Sequence, residues 1–181
     1  MEMRALAVKR EVDRVKAKYG TDDPLEICDA MGIRVSEKPM GTHAESCKGF
    51  FLVNARCKKA IINRDLSEED KRIILPHELG HGVLHVPQGI LAFHELSLLD
   101  ETDTLEKDAN MFAAELIINN DELMDLIRSD YDFFQIARIL AVPPEFLDFK
   151  LRLMKQEGYD VIPPYLARSD FLKKDLSKPR F

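Results

Sequence analysis

No stretch of this 181-residue chain approaches the roughly 18 to 20 consecutive apolar residues that a membrane-crossing helix needs. The opening residues, M-E-M-R-A-L-A-V-K-R-E-V, are charged throughout, unlike the apolar core of a secretion signal. Both absences point to a cytoplasmic protein with no membrane partner. Cysteine is scarce: Cys28, Cys47 and Cys57 are an odd count without C-x-x-C spacing, which argues against a disulfide framework. Cys47 and Cys57 could still join histidines in a structural zinc site, although such sites usually take cysteines in close pairs. Positive charge is also short. With 26 Lys and Arg against 32 Asp and Glu, the formal net charge is −6, which weighs against direct binding to nucleic acid.

Against this plain background, residues 77 to 85 read H-E-L-G-H-G-V-L-H. His77 and His81 are four apart, so on an α-helix they leave the same face and can share one metal ion. Two neutral imidazoles fill half of a tetrahedral zinc shell. Glu78 is turned about a quarter revolution from His77, beside the metal rather than on it, where a general base belongs. The helix has a start signal at Ser67, followed by Glu-Glu-Asp, a hydroxyl cap with acids in the first turn. Ile73, Ile74, His77, His81 and Leu84 then fall in one inward sector. Gly80 allows another backbone to come close. Pro76 predicts either a kink or a helix that begins at that residue.

A third protein ligand is required. The metzincin arrangement, with glycine at position 84 and a ligand histidine at position 87, is excluded because these positions are Leu and Pro. A carboxylate from a second helix is the other common solution, and residues 104 to 117, T-L-E-K-D-A-N-M-F-A-A-E-L-I, supply one. Ala109, Phe112, Ala113, Leu116 and Ile117 define its buried face. Glu106 lies on the edge of that stripe, whereas Asp108 and Glu115 point away from it. A carboxylate on an apolar face needs a cation, so Glu106 is the candidate ligand. Its ordinary alternative is a first-turn acid stabilised by the helix dipole.

These two segments together resemble the ImmA/IrrE family of zinc metallopeptidases. That family pairs a His-Glu-x-x-His helix with a downstream helix of the form E-x-x-A-N-x-F-A-A-x-L, and residues 106 to 116 match it; the strand-like A-I-I-N at 60 to 63 also fits. The resemblance spans roughly residues 20 to 155. It implies that His77, His81 and Glu106 bind Zn2+, that Glu78 is the catalytic acid and base, and that Asn110 supports a ligand histidine. It further implies a protein substrate, a DNA-binding repressor of the helix-turn-helix type whose cleavage relieves repression of a mobile element or stress genes. Two departures stand out: Pro76 replaces a small or aliphatic residue, and Asn119-Asn120 replaces a common Met-Pro.

The rest of the chain reads as one α+β unit, zincin-like and mostly helical, with a small three-stranded antiparallel sheet beside the metal-binding helix. Helices are expected over 3 to 18 and 23 to 31, and strands over Ile33 to Glu37, Gly49 to Val53 and Lys59 to Asn63. Gly49 to Val53, with Phe50 and Phe51, is either a substrate-binding edge strand or an ordinary core strand. A single domain is expected over 1 to 165, its part from 121 to 157 helical, followed by a mobile tail at 166 to 181. The long apolar link between the metal helices is suited to walling a cleft. The helices either side of A-V-P-P at 141 to 144 resemble a helix-turn-helix, but the second, with Phe146, Leu147, Leu151 and Met154, is suited to packing rather than to phosphates. His85 is either a support for the metal ligands or a packed core residue, and His94 or Tyr131 is the candidate to stabilise an oxyanion.

Two readings compete with a peptidase. One is a regulatory module that keeps the metal fold and sequesters its repressor without cutting it; the other is a purely structural zinc site.

Overall fold

A computed structural model describes residues 2–43, 46–54, 57–88, 101–129 and 131–163. The expectations about His94 and about the tail at 166 to 181 fall outside these residues, as does most of the link between the metal helices. No described helix is long and apolar enough to cross a membrane.

The chain opens with α1 (Glu2–Tyr19), whose Ala5, Val8, Val12 and Val15 bury one stripe and leave the charges outside. Helix α2 (Pro24–Ala30) starts where the Asp23 side chain accepts hydrogen bonds from the amides of Leu25 and Glu26, with proline at the first helical position. Gly32, at φ +68°, then turns the chain into the sheet.

Strands β1 (Ile33–Lys38), β2 (Gly49–Asn54) and β3 (Cys57–Asn63) lie in the order β1-β3-β2. The expected strand positions hold, but the sheet is mixed rather than antiparallel. β2 and β3 pair antiparallel, with Phe51 opposite Ala60, whereas β1 runs parallel to β3, with Val35 opposite Ala60. The physical reason is the length of the links. The short β2–β3 connection allows only a hairpin, while residues 39 to 48 are enough chain to carry the backbone past β3 to its far side.

Helix α3 (Glu68–Leu84) begins at Ser67, whose hydroxyl accepts from the Asp70 amide and donates to the Asp70 carboxylate. It runs unbroken through Pro76, which is interior. The expected alternative of a helix start at Pro76 is thereby overturned; the helix forgoes one i to i−4 hydrogen bond where packing holds it. A 3-10 turn at Val86–Gln88 follows.

Helix α4 (Glu101–Ile117) is central among the described elements, with α3 on one side and α1 and α7 (Pro144–Gln156) on others. Residues 108 to 116 are buried without a break. The expectation that Asp108 and Glu115 face outward therefore fails. A helix packed on three sides has no solvent face, and its acids are neutralised instead: Arg4 of α1 binds both oxygens of Asp108 at 2.9 and 2.8 Å, and Lys150 of α7 meets Glu115 at 2.6 Å.

After Asn119 caps α5 (Asn120–Arg128), α6 (Phe133–Ile139) opens on a reciprocal Asp132–Gln135 capping box. Asn119 thus gives the Asn-Asn departure a local role. In α7 (Pro144–Gln156) every residue from Phe146 to Met154 except Arg152 is buried. That helix is spent on packing.

Candidate metal centre and active site

Two helices build the site, and glycine sets the gap between them. A Cβ placed on Gly80 of α3 would stand 3.2 Å from the Cα of Ala109 and from Cβ of Phe112 on α4. Such closeness brings the carboxylate of Glu106, one turn before Ala109, over the imidazoles of α3. On the opposite side of α3 the ring of Phe51 fills the space beside Gly82, and the start of β2 presses on Ile74 and Glu78 at Gly49. Residues 76 to 83 of α3 are accordingly buried all round, not along a single stripe.

His77, His81 and Glu106 converge. Nε2 of His77 lies 3.1 Å from Nε2 of His81, Glu106 Oε2 is 3.2 Å from His77 Nε2, and Glu106 Oε1 is 3.4 Å from His81 Nε2. Zinc holds nitrogen and oxygen ligands at about 2.0 to 2.1 Å, so the edges of its tetrahedron measure roughly 3.3 to 3.4 Å. The His77–His81 separation lies close to that figure, each histidine is about that far from one of the two Glu106 oxygens, and two imidazoles with one carboxylate are a donor set zinc takes. Among the described residues this is the group of acids, histidines or cysteines whose ligand atoms gather closely enough for an ion, and neither Cys47 nor Cys57 belongs to it.

The electrostatics agree with a place made for positive charge. Burial alone would raise the pKa of Glu106, but hydrogen bonds from His77 and His81 pull it far below the usual carboxylate range. Burial lowers the pKa of His77, yet the hydrogen bond and charge of Glu106 reverse this and hold it above the ordinary histidine value. His81, equally buried, stays below that value.

Each imidazole is held on its other nitrogen. His77 Nδ1 meets Asn110 Oδ1 at 2.8 Å, across from α4. His81 Nδ1 meets Nδ1 of His85, the residue that caps the end of α3, at 2.9 Å. Burial pushes the pKa of His85 down to about 3, so it is neutral near pH 7.

Glu78 is 1 % exposed and shares α3 with both histidines. One of its oxygens would lie 3.1 Å from a Cβ on Gly49, so the carboxylate abuts the first residue of β2, an outer strand of the sheet. The lead-in to that strand is pinned by Asn63. Its amide donates to the carbonyls of Gly41 and Cys47 at 2.7 and 2.9 Å, and its oxygen accepts from the amides of Met40 and Asp65. Nothing in a linear pattern marks this asparagine; only its position at the end of a strand before a turn hints at it.

Tyr131 goes elsewhere. It is 45 % exposed and lines a groove of about 330 Å³ together with Leu123, Ile136 and Leu147, whose walls include none of His77, Glu78, His81 and Glu106.

Comparison with known proteins agrees with this geometry. Residues 28–152 match the model of a peptidase family described as the IrrE N-terminal-like domain. The chain is 31 % identical over 143 residues to "Uncharacterized immunity region protein 2" of Bacillus phage phi105, covering 79 % of this chain and 88 % of that protein. It is 27 % identical over 146 residues to "Metallopeptidase ImmA" of Bacillus subtilis (strain 168), covering 80 % and 83 %.

Proposed function

We propose a function on one premise: this chain belongs to the ImmA/IrrE family, whose domain is the IrrE N-terminal-like peptidase domain. On that footing it is a zinc-dependent endopeptidase of zincin-like type, working in the cytoplasm on a protein substrate. The observation that carries the reading is the convergence of one ligand atom each from His77, His81 and Glu106 to within 4.8 Å of one another, with Glu78 on the helix that bears the two histidines.

A zinc ion held there supplies Lewis acidity toward the scissile carbonyl and makes water acidic enough to attack near neutral pH. The protein's own groups do the rest. Glu78 accepts the proton of the attacking water and passes it to the amide nitrogen as the C–N bond breaks, leaving a carboxylate product and an amine. The buried surroundings of Glu78 exclude competing water. Strand β2, which starts against Glu78, is suited to receive the substrate backbone as an added strand. Asn110, whose amide oxygen meets His77 Nδ1, keeps that imidazole turned toward the ion.

The substrate we infer is a DNA-binding repressor of the helix-turn-helix type. The relative named as a phage immunity-region protein supports this choice, because immunity to a phage is a state maintained by repression.

The test uses purified wild type and Glu78→Gln, zinc analysis of each, and incubation with a candidate repressor of the helix-turn-helix type bound to its operator. Zinc in both proteins with cleavage by the wild type alone is the expected result. Cleavage by both removes Glu78 from its role. Release of the repressor from its operator without any cut polypeptide replaces the peptidase with a sequestering module.

A further inference from the structure

We infer that His85 is a positioning residue for His81: its Nδ1 accepts the hydrogen of His81 Nδ1–H and thereby turns His81 Nε2 toward the ion. The inference rests on the reading of His77, His81 and Glu106 as a metal site, and it assigns a role to a histidine that the hydrolytic reaction does not itself use.

The argument is a count of protons. His81 and His85 are both fully buried, one helical turn apart, and their Nδ1 atoms are 2.9 Å from each other. Two imidazole nitrogens at that distance need one proton between them, since two lone pairs repel and two N–H groups clash. His81 Nε2 is committed to the cluster, 3.1 Å from His77 Nε2 and 3.4 Å from Glu106 Oε1. A metal ligand must present a bare nitrogen, so the proton of His81 resides on Nδ1. The shared proton is therefore His81's, and His85 must keep its own on Nε2. One tautomer of each neutral imidazole satisfies these conditions, and it is set by the contact together with the commitment of His81 Nε2 to the cluster.

The fold supplies reasons why His85 can hold that posture. It is the residue that ends α3, and its backbone N–H bonds back to the His81 carbonyl at 3.0 Å, so main chain and ring are tied to the same residue. The ring centroids are 5.0 Å apart and the planes are inclined by 52°, which excludes flat stacking and leaves an edge-on approach of nitrogen to nitrogen. Meanwhile His77 is braced by an amide oxygen of Asn110. Both acceptors are uncharged. Ligand imidazoles are often braced by carboxylates, which feed electron density through the ring to the metal; neutral acceptors withhold it. The only negative charge among the three ligands is that of Glu106, and a divalent ion there keeps a net positive charge with which to polarise a carbonyl.

The experiment is a zinc-binding comparison of full-length wild type, His85→Leu and His85→Asn by competition with a chromophoric chelator, with circular dichroism as the fold control. Wild type binds one zinc. His85→Leu, which fills the space without an acceptor, binds about 10 to 100 times more weakly. His85→Asn, whose amide oxygen can stand near the former Nδ1, recovers most of the loss. Equal zinc affinity in wild type and His85→Leu overturns the inference and leaves the metal site intact, whereas a wild type that binds no zinc overturns the site reading itself. Should the variants fail to fold, two-bond 1H–15N spectra of zinc-loaded wild type decide the matter. His81 protonated on Nδ1 and His85 on Nε2 is the expected pattern; a proton on His85 Nδ1 refutes it.

Discussion

Gly80 of α3 and Ala109 of α4 touch so closely that a single methyl group on the glycine would come within 3.2 Å of the alanine's Cα. The neighbour is backbone, which cannot rotate aside. Gly80→Ala therefore forces the helices apart, with an expected cost of about 1 to 3 kcal/mol from overpacking, partly offset by alanine's better helix propensity. Because Glu106 rides on α4 and the imidazoles on α3, zinc affinity should fall together with the melting temperature. Unchanged zinc affinity in a destabilised Gly80→Ala would refute this coupling.

A second prediction concerns Lys150 and Glu115, 2.6 Å apart, with side chains 1 % and 6 % exposed. Lys150→Met leaves a buried carboxylate whose nearest remaining cation is Lys9, at 3.9 Å. The loss should be toward the lower end of about 3 to 5 kcal/mol. The double variant Lys150→Met with Glu115→Leu should regain most of it, and denaturant titration of all four members of the cycle measures the coupling.

Asn63 joins the sheet to the segment before β2 through four hydrogen bonds. Asn63→Ala strands the Gly41 and Cys47 carbonyls and the Met40 and Asp65 amides, although Asp65 also accepts from Met40 at 3.0 Å. A loss of about 2 to 4 kcal/mol is expected, since each buried group left without a partner costs about 1 to 3 kcal/mol. Faster hydrogen exchange at residues 40 to 43 and 46 to 49, measured against an unaffected α7, checks the location.

The thiols provide a pH test. Burial pushes the pKa of Cys28 from 9.0 up to about 12, so its thiolate fraction near pH 8 drops by about 1,000-fold. Stability linked to this group is lost only as pH rises from 9.0 toward 12, because the folded state holds the proton more tightly there. Cys28 should react with a disulfide reagent at pH 8 only after denaturation; prompt modification in the native protein would contradict its burial.

Much of this molecule is readable in its residues. The cap at Ser67, the alternation of Phe51 and Ala60 with their neighbours, and the spacing of His77, His81 and Glu106 are local patterns with one cheap structural solution each. The misreadings share a cause. Asp108 and Glu115 read as outward because a single apolar stripe was assigned to α4, and no local pattern tells that Arg4 and Lys150, 104 and 35 residues away, come to meet them. The direction of β1 relative to β3 is likewise decided by where the chain crosses, not by the strand's own residues. The contact of His85 Nδ1 with His81 Nδ1, at 2.9 Å, is a matter of ring orientation that spacing along the chain leaves open.

One helix carries His77, Glu78 and His81, with His85 at its end, and the neighbouring helix carries Glu106 and Asn110. With an ion in the proposed site, coordination number becomes a ruler for the distance between two rods. Metal–ligand distances keep to within about 0.2 Å of their ordinary values, so a partner that wedged α4 away from α3 would take the Glu106 carboxylate from such an ion while α3 itself stayed whole.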